Sequence, residues 1–248
     1  MVNVFLYSLL SVIIVSLVSL IGIATLSLRA DKLKRILLYL VSFAAGALMG
    51  DVFIHLLPEV SGNGFSLGVS AFALSGILFS FVIEKFVHWR HCHLPTTKEH
   101  PHPFAVMNLV GDGVHNFVDG IIIGVSYLVS IPVGLATTLA VFLHEIPQEI
   151  GDFSVLLHGG FSRGRALFMN FLLALTAVLG VLIVFFLRYI VEGTLPLLTA
   201  FAAGTFLYIA GSDLIPELHK ETGLGKTFIQ LVFFVLGIAI MYLLLFLD

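Results

Sequence analysis

Charge is what this chain lacks most. Only 11% of its 248 residues are Asp, Glu, Lys or Arg, against about 25% in an ordinary soluble domain. The mean hydropathy of +1.10 goes with that deficit. Together they exclude a water-soluble globular domain and indicate an all-α polytopic membrane protein. With a net charge of −3, no basic surface points to a nucleic-acid partner. A single cysteine, Cys92, excludes an intrachain disulfide framework. No nucleotide-phosphate loop is visible, which leaves gradients as the driving force for any transport. The N-terminus lacks the basic region of a signal peptide, and its apolar run is too long for one, so it reads as a first span.

Long hydrophobic runs are abundant instead. A membrane-crossing helix needs about 20 apolar residues. Eight such runs are expected, at roughly 4–28, 36–58, 65–87, 104–128, 133–158, 166–190, 195–216 and 227–247. The connections are short, so the chain reads as one transmembrane domain, 1–248. Arg29, Lys32, Lys34 and Arg35 follow the first run, and Lys85, Arg90 and Lys98 the third. Arg163 and Arg165 follow the fifth, and Lys220 and Lys226 the seventh, with Arg188 alone on the other side. The positive-inside rule makes the crowded side cytosolic and both termini extracytosolic.

The chain also resembles itself at an offset of 158 residues. Phe43-Ala44-Ala45-Gly46 falls on Phe201-Ala202-Ala203-Gly204, Leu56 on Leu214, and Pro58-Glu59 on Pro216-Glu217. The related spans two and seven run in opposite directions, the mark of inverted repeats in secondary transporters. The expected plan is 3+2+3: a first repeat at about 4–87, central helices at about 104–158, and a second repeat at about 166–247. A cytosolic loop at about 88–103 carries His88, His91, Cys92, His93, His100 and His102, a set that can hold metal.

Against this apolar background two strings stand out. They are His115-Asn116-Phe117-Val118-Asp119-Gly120 and His144-Glu145-Ile146-Pro147-Gln148-Glu149-Ile150-Gly151-Asp152. A charged group at mid-bilayer costs about 2.5–3.5 kcal/mol on insertion scales, so ionisable residues there are functional by default. Helical spacing stacks His115 on Asp119, with Asn116 alongside and Asp112 one turn back, and stacks His144 on Gln148 and Glu145 on Glu149. Asp152 lies one turn further on. Pro147 is expected to kink its helix and free the carbonyl of Leu143. Imidazole and carboxylate together are the donor set of a divalent transition metal. Zn2+ leads, with Fe2+, Mn2+ and Cd2+ as alternatives.

The two strings resemble the signature of the ZIP family of divalent-metal transporters. The second is most similar to the subfamily written His-Glu-x-Pro-His-Glu-x-Gly-Asp, with Gln148 where that subfamily has histidine. The resemblance implies metal flow into the cytosol, a homodimer, and a binuclear mid-membrane site. It puts His115, Asp119, His144 and Gln148 around one ion and Asn116, Asp119 and Glu145 around the other, with Glu149 a neighbour. The stretch from Gly50 to Glu59 is similar to the family's span two, whose acidic and histidine positions are associated with metal uptake. On that footing Asp51, His55, Glu59, Asp112, Asp152, Asp213 and Glu217 are read as stations toward the two mouths.

Two other classes are weaker. His144-Glu145-Ile146-Pro147-Gln148 is one residue from the His-Glu-x-x-His motif of zinc proteases, but Gln148 stands at the second ligand. A haem held by His115 and His144 would have carboxylates as poor company. Short loops and the missing signal peptide point to a prokaryotic inner membrane as the location.

Overall fold

The protein is represented by a computed structural model that describes residues 2–25, 30–61, 66–88 and 103–247. Among these residues every regular element is helical. Helix α1 (Val2–Ser16) runs through a 3-10 stretch (Leu17–Ile21) into α2 (Gly22–Thr25). Next comes α3 (Ala30–Asp51), which passes through a π-turn (Val52–Leu56) into α4 (Leu57–Ser61), followed by α5 (Leu67–His88). The long α6 (Pro103–Val129) and α7 (Ile131–His158) form the middle of the chain. Then come α8 (Arg163–Ala174), α9 (Thr176–Phe186) and α10 (Arg188–Tyr208). A second π-turn (Ile209–Leu214) leads into α11 (Ile215–Leu218), and α12 (Leu224–Leu244) ends in a 3-10 stretch (Leu245–Leu247).

Among the described residues six segments are long and apolar enough to cross a membrane: Asn3–Ile21, Ile36–Ser61, Leu67–Lys85, Arg163–Phe186, Gly193–Leu218 and Leu224–Leu244. Their outer faces keep large apolar side chains exposed, Leu74, Phe186 and Phe228 among them. This is the inverse of a soluble surface and suits lipid. Helices α6 and α7 have 27 and 28 residues but carry the two polar strings, and they are not among the six. They sit at the centre instead: Val118, Ile122, Ile123, Ala136, Ala140 and Val141 belong to the main buried core.

Several boundaries differ from the sequence expectation. The sixth run is split at Leu175, between α8 and α9. The turn expected near 190–195 is helical, because α10 already starts at Arg188 and continues through Pro196. Helix α7 runs unbroken through Pro147 from Ile131 to His158, so the expected kink does not interrupt it. The ladder is widened instead at the two π-turns, where an extra residue per turn disturbs i→i+4 bonding, a feature frequent at functional sites. These turns, Val52–Leu56 and Ile209–Leu214, end 158 residues apart, the offset of the repeated motif.

Close packing recurs at that offset as well. A Cβ on Gly46 would fall on the Phe234 carbonyl of α12, and one on Gly204 would fall on the Ala73 carbonyl of α5. Backbone-to-backbone contact of this kind requires glycine, as small residues do throughout membrane helix packing. Replacing Gly46 or Gly204 by Leu is therefore expected to destabilise the fold by at least the 1–3 kcal/mol typical of overpacking. Thermal unfolding of the purified protein in detergent checks this. Gly151→Ala, where nothing lies within 4 Å of the new methyl, is the control expected to keep or slightly raise the midpoint, since alanine is the better helix former inside α7.

Candidate metal centre

Helices α6 and α7 bring the two strings together. The start of α7 is fixed by Ser130, whose side chain accepts a hydrogen bond from the Val133 amide, with a proline in the first turn. Helix α6 is held against α9 by glycine: a Cβ on Gly120 would meet the Ala177 carbonyl, and one on Gly180 the Phe117 carbonyl. Thr176 of α9 adds a hydrogen bond to the Gly113 carbonyl at 2.8 Å. The residues between these contacts carry the candidate ligands.

His115, Asp119, His144 and Glu145 converge, each offering one donor atom, and all four atoms lie within 4.8 Å of one another. His115 Nε2 is 3.2 Å from His144 Nε2, 3.6 Å from Asp119 Oδ2 and 3.5 Å from Glu145 Oε1. His144 Nε2 is 3.2 Å from Asp119 Oδ2 and 3.7 Å from Glu145 Oε1. Four ligands at 2.0–2.2 Å from one tetrahedral ion stand about 3.3–3.6 Å apart along each edge. Five of the six edges here come close to that range. His144 Nδ1 lies 3.1 Å from the Ala140 carbonyl, which can only accept, so the proton sits on Nδ1 and Nε2 is free to ligate.

Three of the four side chains are buried. Asp119, His144 and Glu145 are each at most 1% exposed, whereas the His115 side chain is 23% exposed. No oxygen of Asp119 or Glu145 accepts a hydrogen bond from another described protein group. His115 and His144 also line a cavity of about 410 Å³ that passes Gln148, Thr205 and Tyr208 and reaches the exposed Asp213 and Glu217.

The other residues singled out in the sequence sit elsewhere. Gln148 lies on the wall of the same cavity as His115 and His144, beside Asp112. Asn116 turns to Asp112, donating to Oδ1 at 2.7 Å. Glu149 accepts from Asn170 Nδ2 at 2.9 Å, and Asp152 accepts from Asn108 Nδ2 at 2.9 Å. Asp51 and His55 are buried together at the first π-turn, Nδ1 to Oδ1 3.3 Å, with Thr137 of α7 donating to Asp51 at 3.1 Å. Glu59 is exposed, and Glu217 is exposed and paired with Lys220. His88 ends α5, and His91, Cys92, His93, His100 and His102 lie outside the described residues.

Sequence reasoning missed Asn108, Asn170, Thr137 and the Tyr208–Glu84 hydrogen bond. Asn170 had a usable signal, as a lone amide in the apolar stretch of α8.

A family profile described as "ZIP Zinc transporter" matches residues 2–105 and 101–245. The chain belongs to the ZIP zinc transporter family. It is accordingly a multi-pass membrane protein of a family of transporters, not enzymes, which sets aside the protease reading. It is 35% identical to zinc transporter ZIP13 of Pongo abelii over 82% of this chain and 65% of that one. It is 32% identical to the ZIP13 homolog of Drosophila melanogaster over 85% of this chain and 77% of that one. Zinc transporter ZIP13 of Homo sapiens is 31% identical over 82% of this chain and 69% of its own length. The chain thus spans roughly two thirds to three quarters of these relatives. All three are animal proteins, so they lend no support to the expected prokaryotic inner membrane.

If the four converging groups bind an ion together, losing one should cost at least the 10–100-fold that outer-shell changes cost. Asp119→Ala is expected to weaken Zn2+ binding to the purified protein by more than about 100-fold in a competition titration against a chelating dye. Glu59→Ala should leave it within about twofold, since Glu59 is exposed and outside the group.

Proposed function

We propose that the protein carries divalent metal ions, Zn2+ first among them, across a membrane into the cytosol, with His115, Asp119, His144 and Glu145 as the transport site. One observation carries this reading: two imidazoles and two carboxylates, from two helices, spaced like the edges of a tetrahedral zinc site. The names of the related zinc transporters agree with it. The loaded form is proposed to hold two ions. Asp119 and Glu145 each keep both oxygens free of hydrogen bonds, so each has a donor left after binding the first ion. Asn116, now bonded to Asp112, would turn to the second. Fe2+, Mn2+ and Cd2+ are the competing substrates.

The path follows from the proposed topology, in which α6 and α7 complete eight spans and both termini are extracytosolic. The inverted-repeat plan draws support from the paired π-turns and the paired glycine contacts. Under that orientation the cavity with Asp213 and Glu217 opens to the cytosol, while Asp51 and His55, on the other side, are buried. This is an inward-open, outward-closed arrangement. Uptake then requires the Asp51–His55–Thr137 contact to open, and release follows the cavity. Homodimerisation is proposed on the resemblance alone.

Radiolabelled zinc uptake into proteoliposomes tests the proposal. Wild type is expected to show saturable uptake, and His115→Ala to reduce it at least tenfold. Uptake that is equal in the two would remove the site from the pathway. Tight binding without any transport by the wild type would overturn the transporter reading.

A further inference from the structure

Helix α6 is packed in two different ways. On one side it meets α9 backbone to backbone, with Gly120 against the Ala177 carbonyl and Gly180 against the Phe117 carbonyl. Helices α5 and α10 meet in the same manner, with Gly76 against the Phe201 carbonyl and Gly204 against the Ala73 carbonyl. Between these two tight pairs lies a second cavity, of about 480 Å³ and partly open at its side. Phe79 of α5, Phe117, Ile121 and Val125 of α6, and Leu198 and Phe201 of α10 line it. Its described lining is wholly branched aliphatic or aromatic and includes no glycine or alanine. Small residues are what let membrane helices close on each other, so here the helices are held apart.

A void of this size is not left empty in a packed protein. Water finds no hydrogen-bond partner among these side chains. The crevice follows α6 from Val114 to Val125, about 16 Å at 1.5 Å per residue. One leaflet contributes about 15 Å to the hydrocarbon core of a bilayer. Val125 is near the end of α6 and Val114 near its middle, so the crevice runs from the outer part of one leaflet to the membrane centre. Leu78, next to Phe79 on α5, is exposed on the lipid-suited outer face, and the crevice continues that surface inward.

We infer that a phospholipid acyl chain occupies this crevice, entering beside Val125 and Leu198 and ending against Phe79 and Val114. The proposed orientation makes the donor the extracytosolic leaflet, but the binding itself rests neither on that orientation nor on the metal site. Phe79, Val114 and Val118 line both this crevice and the metal cavity. The chain therefore backs the wall beside His115 and fills the space into which Val114 and Val118 would otherwise collapse.

The test uses the full chain in phosphatidylcholine proteoliposomes. A trace of the lipid carries a photoactivatable diazirine on one acyl chain, near the ester in one probe and near the terminal methyl in another. Peptide mass spectrometry after irradiation locates the label. The near-ester probe is expected on Val125 and Leu198, and the terminal probe on Phe79 and Phe117. Ile121→Trp fills the crevice and is expected to abolish labelling of Phe79, Phe117 and Phe201, while Leu74, on the outer face of α5, is labelled as before. Leu198→Phe serves in the same way if Ile121→Trp does not purify as a single species. Label confined to outer-face residues such as Leu74, a reversed or absent depth order, or undiminished labelling in the filled variant would each overturn the inference. His115→Ala is expected to keep the crevice labelled. A wild type that is labelled there yet moves no zinc keeps this site and loses the transport reading, so the two fail separately.

Discussion

Asp119 and Glu145 are carboxyl groups with at most 1% exposure, set among apolar helices, with two imidazoles as their nearest polar company. Carrying such groups into a bilayer is costly, and in the proposed account helix packing holds them close enough to share a cation that offsets the cost. Much of the architecture serves that closeness. Glycines at 120 and 180 let α6 and α9 touch backbone to backbone, and Thr176 locks the contact. Ser130 sets where α7 begins, and so which of its residues face α6. The Ala140 carbonyl sets the tautomer of His144. None of these residues touches the proposed ion, yet a shift of one of them moves a ligand.

The same centre explains why the molecule is built unevenly around it. On one side, Asp51, His55 and Thr137 close a buried polar contact at a π-turn. On the other, a cavity runs from His115 past Asp112 and Asp152 to exposed carboxylates. A transporter needs its site open to one side at a time, and π-turns are places where a helix can change its register at low cost. Two of them, at matching positions of the two halves, flank the central pair of helices.

Much of this was legible in the sequence. The polar strings contain the four side chains that converge, because helical spacing survives folding. His115 and Asp119, four residues apart, do share a face, at 3.6 Å. The repeat offset of 158 likewise announced the paired glycines. What spacing along one helix does not show is which partner a side chain chooses across helices. Asn116 was read as a ligand and Glu149 as a neighbour of the ions, yet Asp112 and Asn170 engage them. Pro147 suggested a kink in α7, and the helix runs through it without interruption. The first π-turn carries no glycine or proline, since Val52–Leu56 is an ordinary apolar stretch with one histidine, and the second holds a single glycine, Gly211.

The central claim is that the ion sits between two imidazoles and two carboxylates, and X-ray absorption at the zinc edge of the zinc-loaded protein reads that shell directly. A four-coordinate nitrogen and oxygen shell at about 2.0–2.1 Å, with outer-shell scattering from two imidazoles, is the expected result. A shell of oxygen alone, or one containing the sulfur of Cys92, would place the ion elsewhere and contradict the account.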